Sequence, residues 1–223
     1  IAPTYSVRDF FDFFPTAFLY NEMRQERTID NKLDPRYHAT ILSYEPAEGY
    51  TTGYGSLDWL TPAANGGLGF KATDYFIKKY TLAATGGDPF IGGINYHIIR
   101  YADVLLMYAE SLANTGNIPG AATYVQMVRD RANLPDREAE FAGYNVDQFM
   151  NQLAHERVME FAIEGMRWHD IKRWGWLENP GRLAELKSHD GEFSTFQIER
   201  AYMPIPQAEL DVNPNLEGNS ANQ

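Results

Sequence analysis

Between Ile98 and Pro135 the chain carries two amphipathic helical patterns that are separated by only a few turn-forming residues. Apolar residues of the first pattern recur at intervals of three and four, which places them on one face of a helix: Tyr101, Val104, Leu105, Tyr108, Ala109 and Leu112. The second pattern repeats in the same way at Ala121, Val125, Val128 and Ala132. Two apolar faces joined by a short connection pack antiparallel, so this segment predicts a helical hairpin.

The residues between the two patterns are typical of a helix end followed by a helix start. Asn114 and Gly116 favour the left-handed backbone that ends a helix. Asn117 can cap the next helix, with Pro119 in its first turn. The segment 100–133 has the 34-residue length of a tetratricopeptide-type unit. Because such a unit buries its apolar face only against neighbours, we expect further units upstream or other helices of this chain in their place.

A third helix is predicted to begin at Asn145, which forms an asparagine version of a capping box with Gln148. One face of this helix is apolar: Met150, Ala154, Val158, Phe161 and Ala162. Another face carries a polar row at four-residue intervals: Gln152, Glu156, Glu160 and Glu164. Since carboxylates are rarely buried, a solvated face is one interpretation. A partly buried network of ion pairs is the other, because Arg157 and Arg167 each lie three residues from a carboxylate of the row.

The segment after this helix is rich in large rings and cations. Gly165 interrupts the helical pattern before RWHDIKRWG, in which Trp168 and Trp174 are interpreted as core anchors. Further on, Pro204 and Pro206 prevent a helix, so an extended stretch is expected there. A helical turn over 207–211 is expected to follow, and no ligand role is assigned to this tail.

Four ordered segments of this sequence together resemble one protein family. The longest, HERVMEFAIEGMRWHDIKRWG, has the pattern ER-x-x-E-x-x-x-EG-x-RW-x-D-x-x-RWG. The others are DPRYHATI at 34–41, IRYADVLLMYAESL at 99–112 and YMPIPQAELDVNPNL at 202–216. This combination resembles the SusD/RagB family of bacterial outer-membrane nutrient-binding lipoproteins.

The resemblance implies a mainly α fold, in which tetratricopeptide-like helical hairpins form a scaffold with long irregular loop insertions and few short strands. It places the chain as the C-terminal part of a single SusD/RagB-like domain, with 1–97 loop-rich and 98–223 forming the helical scaffold and a closing strap. It also implies a surface-exposed outer-membrane lipoprotein that binds glycan beside a SusC-like TonB-dependent transporter. No catalysis and no cofactor are implied, and the lipid anchor is expected in an N-terminal part that this chain lacks.

Composition excludes several other classes of protein. The net charge of -11 argues against wrapping nucleic acid, whose phosphates require a positive surface. A neutral glycan imposes no such requirement. No apolar run approaches the roughly 20 residues that span a bilayer, and the absence of cysteine excludes disulfides and thiolate metal sites.

The best candidate for a ligand site is the segment 44–70, which is dense in glycine, proline, asparagine and threonine. Long loops of this composition are usually functional. Aromatic rings on such a segment can stack on the apolar faces of sugars while polar neighbours bind hydroxyl groups. The candidate rings are Trp59, Tyr54, Tyr50 and Tyr44, and the candidate polar partners are Glu48, Asp58 and Asn65. The alternative is that these rings pin the loop to the scaffold.

Catalytic and metal motifs are incomplete. His155 and Glu156 begin like a zinc-binding HExxH helix, but Met159 stands where the second histidine would be. A glycosidase requires two carboxylates that face each other across a cleft; Asp58 with Glu48 is only the pair that could be proposed for this role, and the sequence does not fix their separation. The paired glycines at 66–67 and 86–87 are interpreted as turns, and His97 as a core histidine.

Three functions from different classes therefore stand. The first is a glycan-binding surface protein, the second a glycoside hydrolase, and the third a helical-repeat module that binds proteins. The resemblance ranks them in that order.

Overall fold

A computed structural model describes residues 14–53, 57–79 and 97–218 of the chain. These residues are mostly helical, and the strands found in them form one small sheet. The predicted mainly α fold class is thus confirmed. Two compact units follow one another along the chain, 1–165 and 166–223. The predicted division at residue 97 stays a prediction.

The helical hairpin is formed as predicted by α3 (Tyr101–Asn114) and α4 (Ile118–Arg131). Gly116 lies at φ +85° in the tight connection, where a left-handed backbone is needed. The Asn117 side chain accepts a hydrogen bond from the Gly120 amide at 3.0 Å, which caps α4. Sequence patterns thus determine both ends of this turn.

The buried face of α3 differs from the predicted one. Its buried residues are Ala102, Asp103, Leu105, Leu106, Ala109, Glu110 and Ala113. Tyr101 is 70% exposed, and Val104 and Tyr108 are also exposed. The prediction failed because apolar residues occupy two adjacent sides of α3, and helical spacing alone does not tell which side the core covers. Small residues define the side that packs, since they allow the helices a close approach.

The third helix, α6 (Val146–Phe161), follows a short helix α5 (Glu138–Ala142). The predicted capping box is present, with Asn145 and Gln148 bonded reciprocally. Met150 and Val158 of the predicted apolar face are only partly buried. The buried side of α6 consists instead of the following residues: Phe149, Leu153, Ala154, Glu156, Arg157, Met159, Glu160 and Phe161.

The N-terminal half of the first unit contains α1 (Ala17–Met23), α2 (Pro35–Thr40), β1 (Ile41–Ser43) and β2 (Tyr75–Ile77). The two strands pair antiparallel, with Leu42 opposite Phe76. The described residues between the strands, 44–53 and 57–74, belong to an excursion that leaves the helical body and returns to it. Short 3-10 helices at Pro46–Glu48 and Ala63–Asn65 lie within it.

The second unit contains α7 (Arg167–Arg173), α8 (Pro180–His189) and α9 (Gln207–Val212), with 3-10 helices at Gly191–Thr195 and Ile198–Ala201. The predicted helical turn near residue 207 corresponds to α9. Within the described ranges, no helix combines the length and apolar character that crossing a bilayer requires.

Candidate functional site

The first unit contains a buried network of charged side chains that begins at Glu156, which is fully buried on α6. One carboxylate oxygen of Glu156 accepts from Arg36 at 2.5 Å and the other from Arg129 at 3.2 Å. Arg36 is in turn held by Asp34, whose oxygens accept from its Nε and Nη2 at 2.7–3.1 Å. Buried charges that are paired and hydrogen-bonded in this way avoid the cost of an unpaired charge.

Two further carboxylates continue the network, Glu160 in the last turn of α6 and Glu164 just after the helix. Glu160 accepts from Arg100 at 2.8 Å and from Arg131 at 2.5 Å. Glu164 accepts two bonds from Arg100 at 2.8 and 2.9 Å, and the Lys79 ammonium lies 2.5 Å from it. Paired hydrogen bonds from one guanidinium fix orientation as well as charge.

The solvated-face interpretation of the acidic row is therefore wrong, because the carboxylates of Glu156, Glu160 and Glu164 are buried. An ion-pair network exists, but its partners come from other segments of the chain. Arg157 bonds Asp103 of α3 at 2.8 Å, and Arg167 lies over the Trp176 ring in the second unit. The distant partners explain why spacing along one helix could not identify them.

The network makes stability depend on acid pH. Burial alone would raise the pKa of Glu160 and Glu164, but the bond from Arg100 and the other cations outweigh burial and lower both below 4.5. Groups with lowered folded-state pKa values contribute stability that is present above their unfolded pKa and is lost as the pH falls through the folded one. We expect Glu164→Gln to be destabilising near neutral pH, by an amount that shrinks below about pH 4.5. Urea unfolding of both proteins across this range measures it, and a constant difference would contradict it.

The same network fixes the base of the excursion 44–74. Helix α2 directly precedes β1, and its residue Arg36 bonds Glu156. This bond ties the start of the excursion to α6. Arg24 bonds Glu45 at 3.0 Å and Arg27 bonds Glu48 at 2.8 Å, which ties the first turn of the excursion to α1 and the residues after it. The excursion therefore starts from a rigid base.

Trp59 is the anchor of the excursion. It is 0% exposed and packs with Leu42 and Phe76 of the two strands and with Leu68. Its indole Nε1 donates to the Lys71 carbonyl at 2.8 Å. This corresponds to the alternative that the sequence left open, because a fully buried ring offers no face to a ligand. We therefore leave Trp59 out of the proposed ligand surface.

The tight fold of the excursion also depends on a glycine. A Cβ at Gly67 would lie 2.1 Å from the Thr61 carbonyl oxygen. Gly66 beside it adopts φ +86°, so the glycine pair forms a turn as predicted. Any side chain at position 67 would push the two arms of the excursion apart.

The other predicted ring residues lie in different surroundings. Tyr44 is half-buried against the cluster around Trp59. Tyr50 is 40% exposed and stacks on His38 with ring centroids 3.5 Å apart, so one of its faces is covered. Burial, and then the charge of Lys78, lower the pKa of His38, so the ring beneath Tyr50 is neutral near pH 7. Tyr54 lies outside the described residues.

Two of the three predicted polar partners, Glu48 and Asp58, bond to other groups of the protein. The Glu48 carboxylate is engaged by Arg27. Asp58 accepts from the Thr61 and Leu60 amides at 2.7 and 3.1 Å. Hydrogen bonding to the Thr61 side chain, and then to these amides, lowers the pKa of Asp58. Asn65 is exposed at the end of a 3-10 turn. Contacts of these residues with a ligand stay a prediction.

An open cleft lies beside the paired strands, on residues that the sequence did not select. Its volume is 440 Å³, and it is lined by Phe14, Pro15, Phe70, Thr73, Asp74, Tyr75 and Phe76. Phe14 is half exposed, and its ring centroid lies 6.0 Å from that of Phe76. Phe70 packs on Phe76 with ring centroids 4.7 Å apart, and Tyr75 is stacked on Tyr20 with ring centroids 4.1 Å apart. We call this the aromatic cleft.

The aromatic cleft combines apolar rings with a few polar groups. The Asp74 carboxylate accepts from the Lys71 amide at 2.9 Å, which fixes its position, and the exposed Thr73 adds a hydroxyl. A volume of this size is within the range of small-molecule sites. The signal in the sequence was the density of rings at 70–76, together with the phenylalanine cluster near the N-terminus. Phe10, Phe11 and Phe13 of that cluster lie outside the described residues.

The residues that resemble catalytic motifs have other roles. Glu156 is bonded to two arginines, and the His155 Nδ1 lies 3.5 Å from Glu22. His97 is exposed, so its interpretation as a core histidine is wrong. In the described part of the chain no three metal-ligating side chains are grouped so that they could hold an ion.

The first unit thus has a helical scaffold with a tetratricopeptide-like hairpin, and its folded excursion carries the aromatic cleft. The model of the SusD family matches residues 19–221. The chain belongs to the SusD family.

Curated relatives and solved structures agree with this assignment. SusD-like protein P25 of Formosa agariphila is 31% identical over 152 residues, which are 67% of this chain and 28% of that protein. SusD-like protein P2 of the same organism is 33% identical over 66% of this chain and 30% of that protein. The chain thus spans less than a third of the length of these relatives.

A crystal structure of a SusD superfamily protein from Bacteroides vulgatus has a TM-score of 0.76 and 30% identity, and the match covers 96% of this chain and 45% of that one. A SusD-like protein from Bacteroides fragilis has a TM-score of 0.62 over 92% of this chain and 46% of that one. At 20% identity, the latter likeness concerns the fold alone.

Proposed function

We propose that this chain binds a glycan without cleaving it, and that the aromatic cleft of the first unit contributes the binding surface. The observation that carries the proposal is the cleft itself, where the rings of Phe14, Phe70, Tyr75 and Phe76 line the same opening as Asp74 and Thr73. Flat C–H faces of a pyranose ring pack on aromatic planes, and its hydroxyls bond to polar side chains nearby. Membership of the SusD family supports the same class of ligand.

The chemistry of the cleft supports binding rather than hydrolysis. A glycosidase places two carboxyl groups roughly 5–9.5 Å apart across the scissile bond. Asp74 is the one carboxylate that lines the cleft among the described residues. Asp58 and Glu48, the pair considered from sequence, are engaged by backbone amides and by Arg27 respectively.

The role of the intact protein belongs to the same proposal. Family membership supports nutrient uptake at the bacterial outer membrane, where a surface-exposed lipoprotein would deliver its glycan to a SusC-like TonB-dependent transporter. The lipid anchor would then lie in a part of the protein that precedes this sequence. Co-purification of the full-length protein with such a transporter from outer membranes tests this role.

Phe14→Ala is expected to weaken glycan binding by about tenfold, which corresponds to roughly 1.4 kcal/mol, because it removes an exposed ring from the aromatic cleft. The measurement is isothermal titration of the chain against a panel of neutral polysaccharides, repeated for the variant with the glycan that binds best. Reducing ends released from that glycan are assayed in parallel.

Tyr101→Ala is the matched control, since it removes an exposed ring on α3 instead. Equal affinity of the wild type and Phe14→Ala would remove the cleft from the binding surface. Release of reducing ends would favour the hydrolase instead, and an absence of binding to every glycan of the panel would reject the proposed function.

A further inference from the structure

The second unit has an exposed aromatic surface of its own, formed by Trp168 on α7 and Tyr202 after the last 3-10 helix. Trp168 is 38% exposed and Tyr202 is 61% exposed. The Lys172 ammonium lies over both rings, 5.9 Å from the Trp168 ring centroid and 4.7 Å from the Tyr202 ring centroid. Both distances are within the range of cation–π contacts. We call these three residues the aromatic–lysine site.

The rings of this site are held in place by packing. The ring centroid of Trp168 lies 6.4 Å from that of Phe193 and 6.3 Å from that of Phe196, which it meets edge-on. The two phenylalanine rings stack with centroids 5.0 Å apart. Ala201 is buried, which fixes the chain next to Tyr202. A preorganised surface loses little conformational freedom when a ligand binds. The interpretation of Trp168 as a core anchor is thus only partly right.

Lys172 differs from the neighbouring cations in its partners. Arg173 pairs with Asp170 at 2.9 Å, and Arg182 pairs with Glu185 at 2.9 Å. No ion pair involves Lys172 among the side chains that the structure describes in this unit, and its contacts there are with ring faces. An ammonium has three donors, and two ring faces leave donor capacity for an anion.

We propose that the aromatic–lysine site binds a saccharide unit that carries an anionic group. The ring of the sugar would pack on the exposed faces of Trp168 and Tyr202, while its carboxylate or sulfate would accept from Lys172. The shared chemistry is a pyranose with a negative substituent, and a uronate or a sulfate ester both supply it. This site uses only residues of the second unit and does not rest on the aromatic cleft.

The net charge of -11 does not prevent such binding. At physiological salt the Debye length is about 8 Å, so distant carboxylates are screened more than a cation in direct contact. The same screening predicts that affinity falls as salt rises, in contrast to a neutral glycan in the aromatic cleft.

The experiment titrates the whole chain with trigalacturonate, with a sulfated oligosaccharide of matched length and with neutral maltotriose. Lys172→Gln is expected to weaken binding of at least one anionic probe about tenfold, whereas Lys172→Arg retains it. Trp168→Ala is expected to abolish it. Lys32→Gln, which changes the net charge equally at an exposed lysine of the first unit, is the control and should bind like the wild type.

Three outcomes would overturn the proposal: no binding of either anionic probe, equal binding by the wild type and Lys172→Gln, or equal weakening by Lys32→Gln. Phe14→Ala separates this site from the proposed function, because it should leave binding of the anionic probe unchanged. If the aromatic cleft proves not to bind glycan, the result for the aromatic–lysine site still stands. If the aromatic–lysine site proves not to bind an anionic saccharide, the result for the aromatic cleft still stands. Circular dichroism of Trp168→Ala confirms that the variant is folded, and Lys172→Gln tests the site without removing a ring.

Discussion

Glu156→Ala is expected to lower the free energy of unfolding by roughly 3–5 kcal/mol, because it takes a shared carboxylate away from two buried cations. The carboxylate is fully buried and bonds both Arg36 and Arg129. Removing it leaves Arg36 with Asp34 and Arg129 with Glu26, so each of these buried guanidinium groups loses one of its charged partners where water does not replace it. Urea unfolding of the purified chain, followed by circular dichroism, measures the difference.

Glu140→Ala is the matched control for this experiment. Glu140 also bonds an arginine, Arg137, at 2.6 and 2.8 Å, but its side chain is 47% exposed. The hydrogen bonds from Arg137 and Tyr144 lower the pKa of Glu140 to about 2, yet solvent screens such a pair, so we expect a change of roughly 0–1 kcal/mol. Similar losses in both variants would show that burial of the network does not determine its contribution.

Trp59→Ala is expected to cost roughly 3–5 kcal/mol, the range for removing a large aromatic side chain from a core. The ring joins both strands to the excursion, so the cavity would loosen the excursion at the point where it meets the body. Leu60→Ala is the control, because Leu60 is the next residue and is 46% exposed. We expect it to change stability by less than about 0.5 kcal/mol. Thermal unfolding of the two variants and the wild type measures both changes in stability.

This prediction bears on binding experiments. A loss of glycan affinity in Trp59→Ala would follow from a disordered excursion and would not show a contact. Variants at the surface of the cleft, such as Phe14→Ala, test contact directly. A Trp59→Ala protein as stable as the wild type would contradict the role of this ring as the anchor.

The sequence predicts the elements whose signals are local. The turn between α3 and α4 follows from Gly116 and Asn117, and the start of α6 follows from Asn145 and Gln148, because capping bonds join residues only three apart. Helical spacing also indicates α3, α4 and α6. These signals need no knowledge of what the helices pack against.

The features that sequence reasoning missed depend on distant partners. Tyr101 and Leu105 have the same spacing pattern, yet only Leu105 is buried, because the side of α3 that faces the core is set by neighbouring helices. Trp59 is a residue type that often stacks on sugars, and it lies in a segment with loop composition. In the structure it packs against Leu42 and Phe76, which belong to two strands that the sequence did not predict. Its loop context was therefore misleading about its exposure.

The aromatic cleft was missed for the same reason. Phe14 and Tyr75 are far apart in the sequence, and they meet at one surface because Phe14 lies against Phe76, the neighbour of Tyr75 on β2. What the sequence did provide was the region, since Phe70 closes the segment that was selected for its rings and loop composition.

The network at α6 also limits how the chain can be divided. Arg36 and Lys79 bond carboxylates that lie 120 and about 85 positions further along, so neither side of the contact is complete until most of the first unit has been synthesised. A fragment that contains only residues 100–164 would retain Glu156, Glu160 and Glu164 but would lack Arg36 and Lys79, two of the cations that neutralise them. Such a truncated piece should remain unfolded, whereas two separately produced pieces that restore the missing cations should reassemble when mixed.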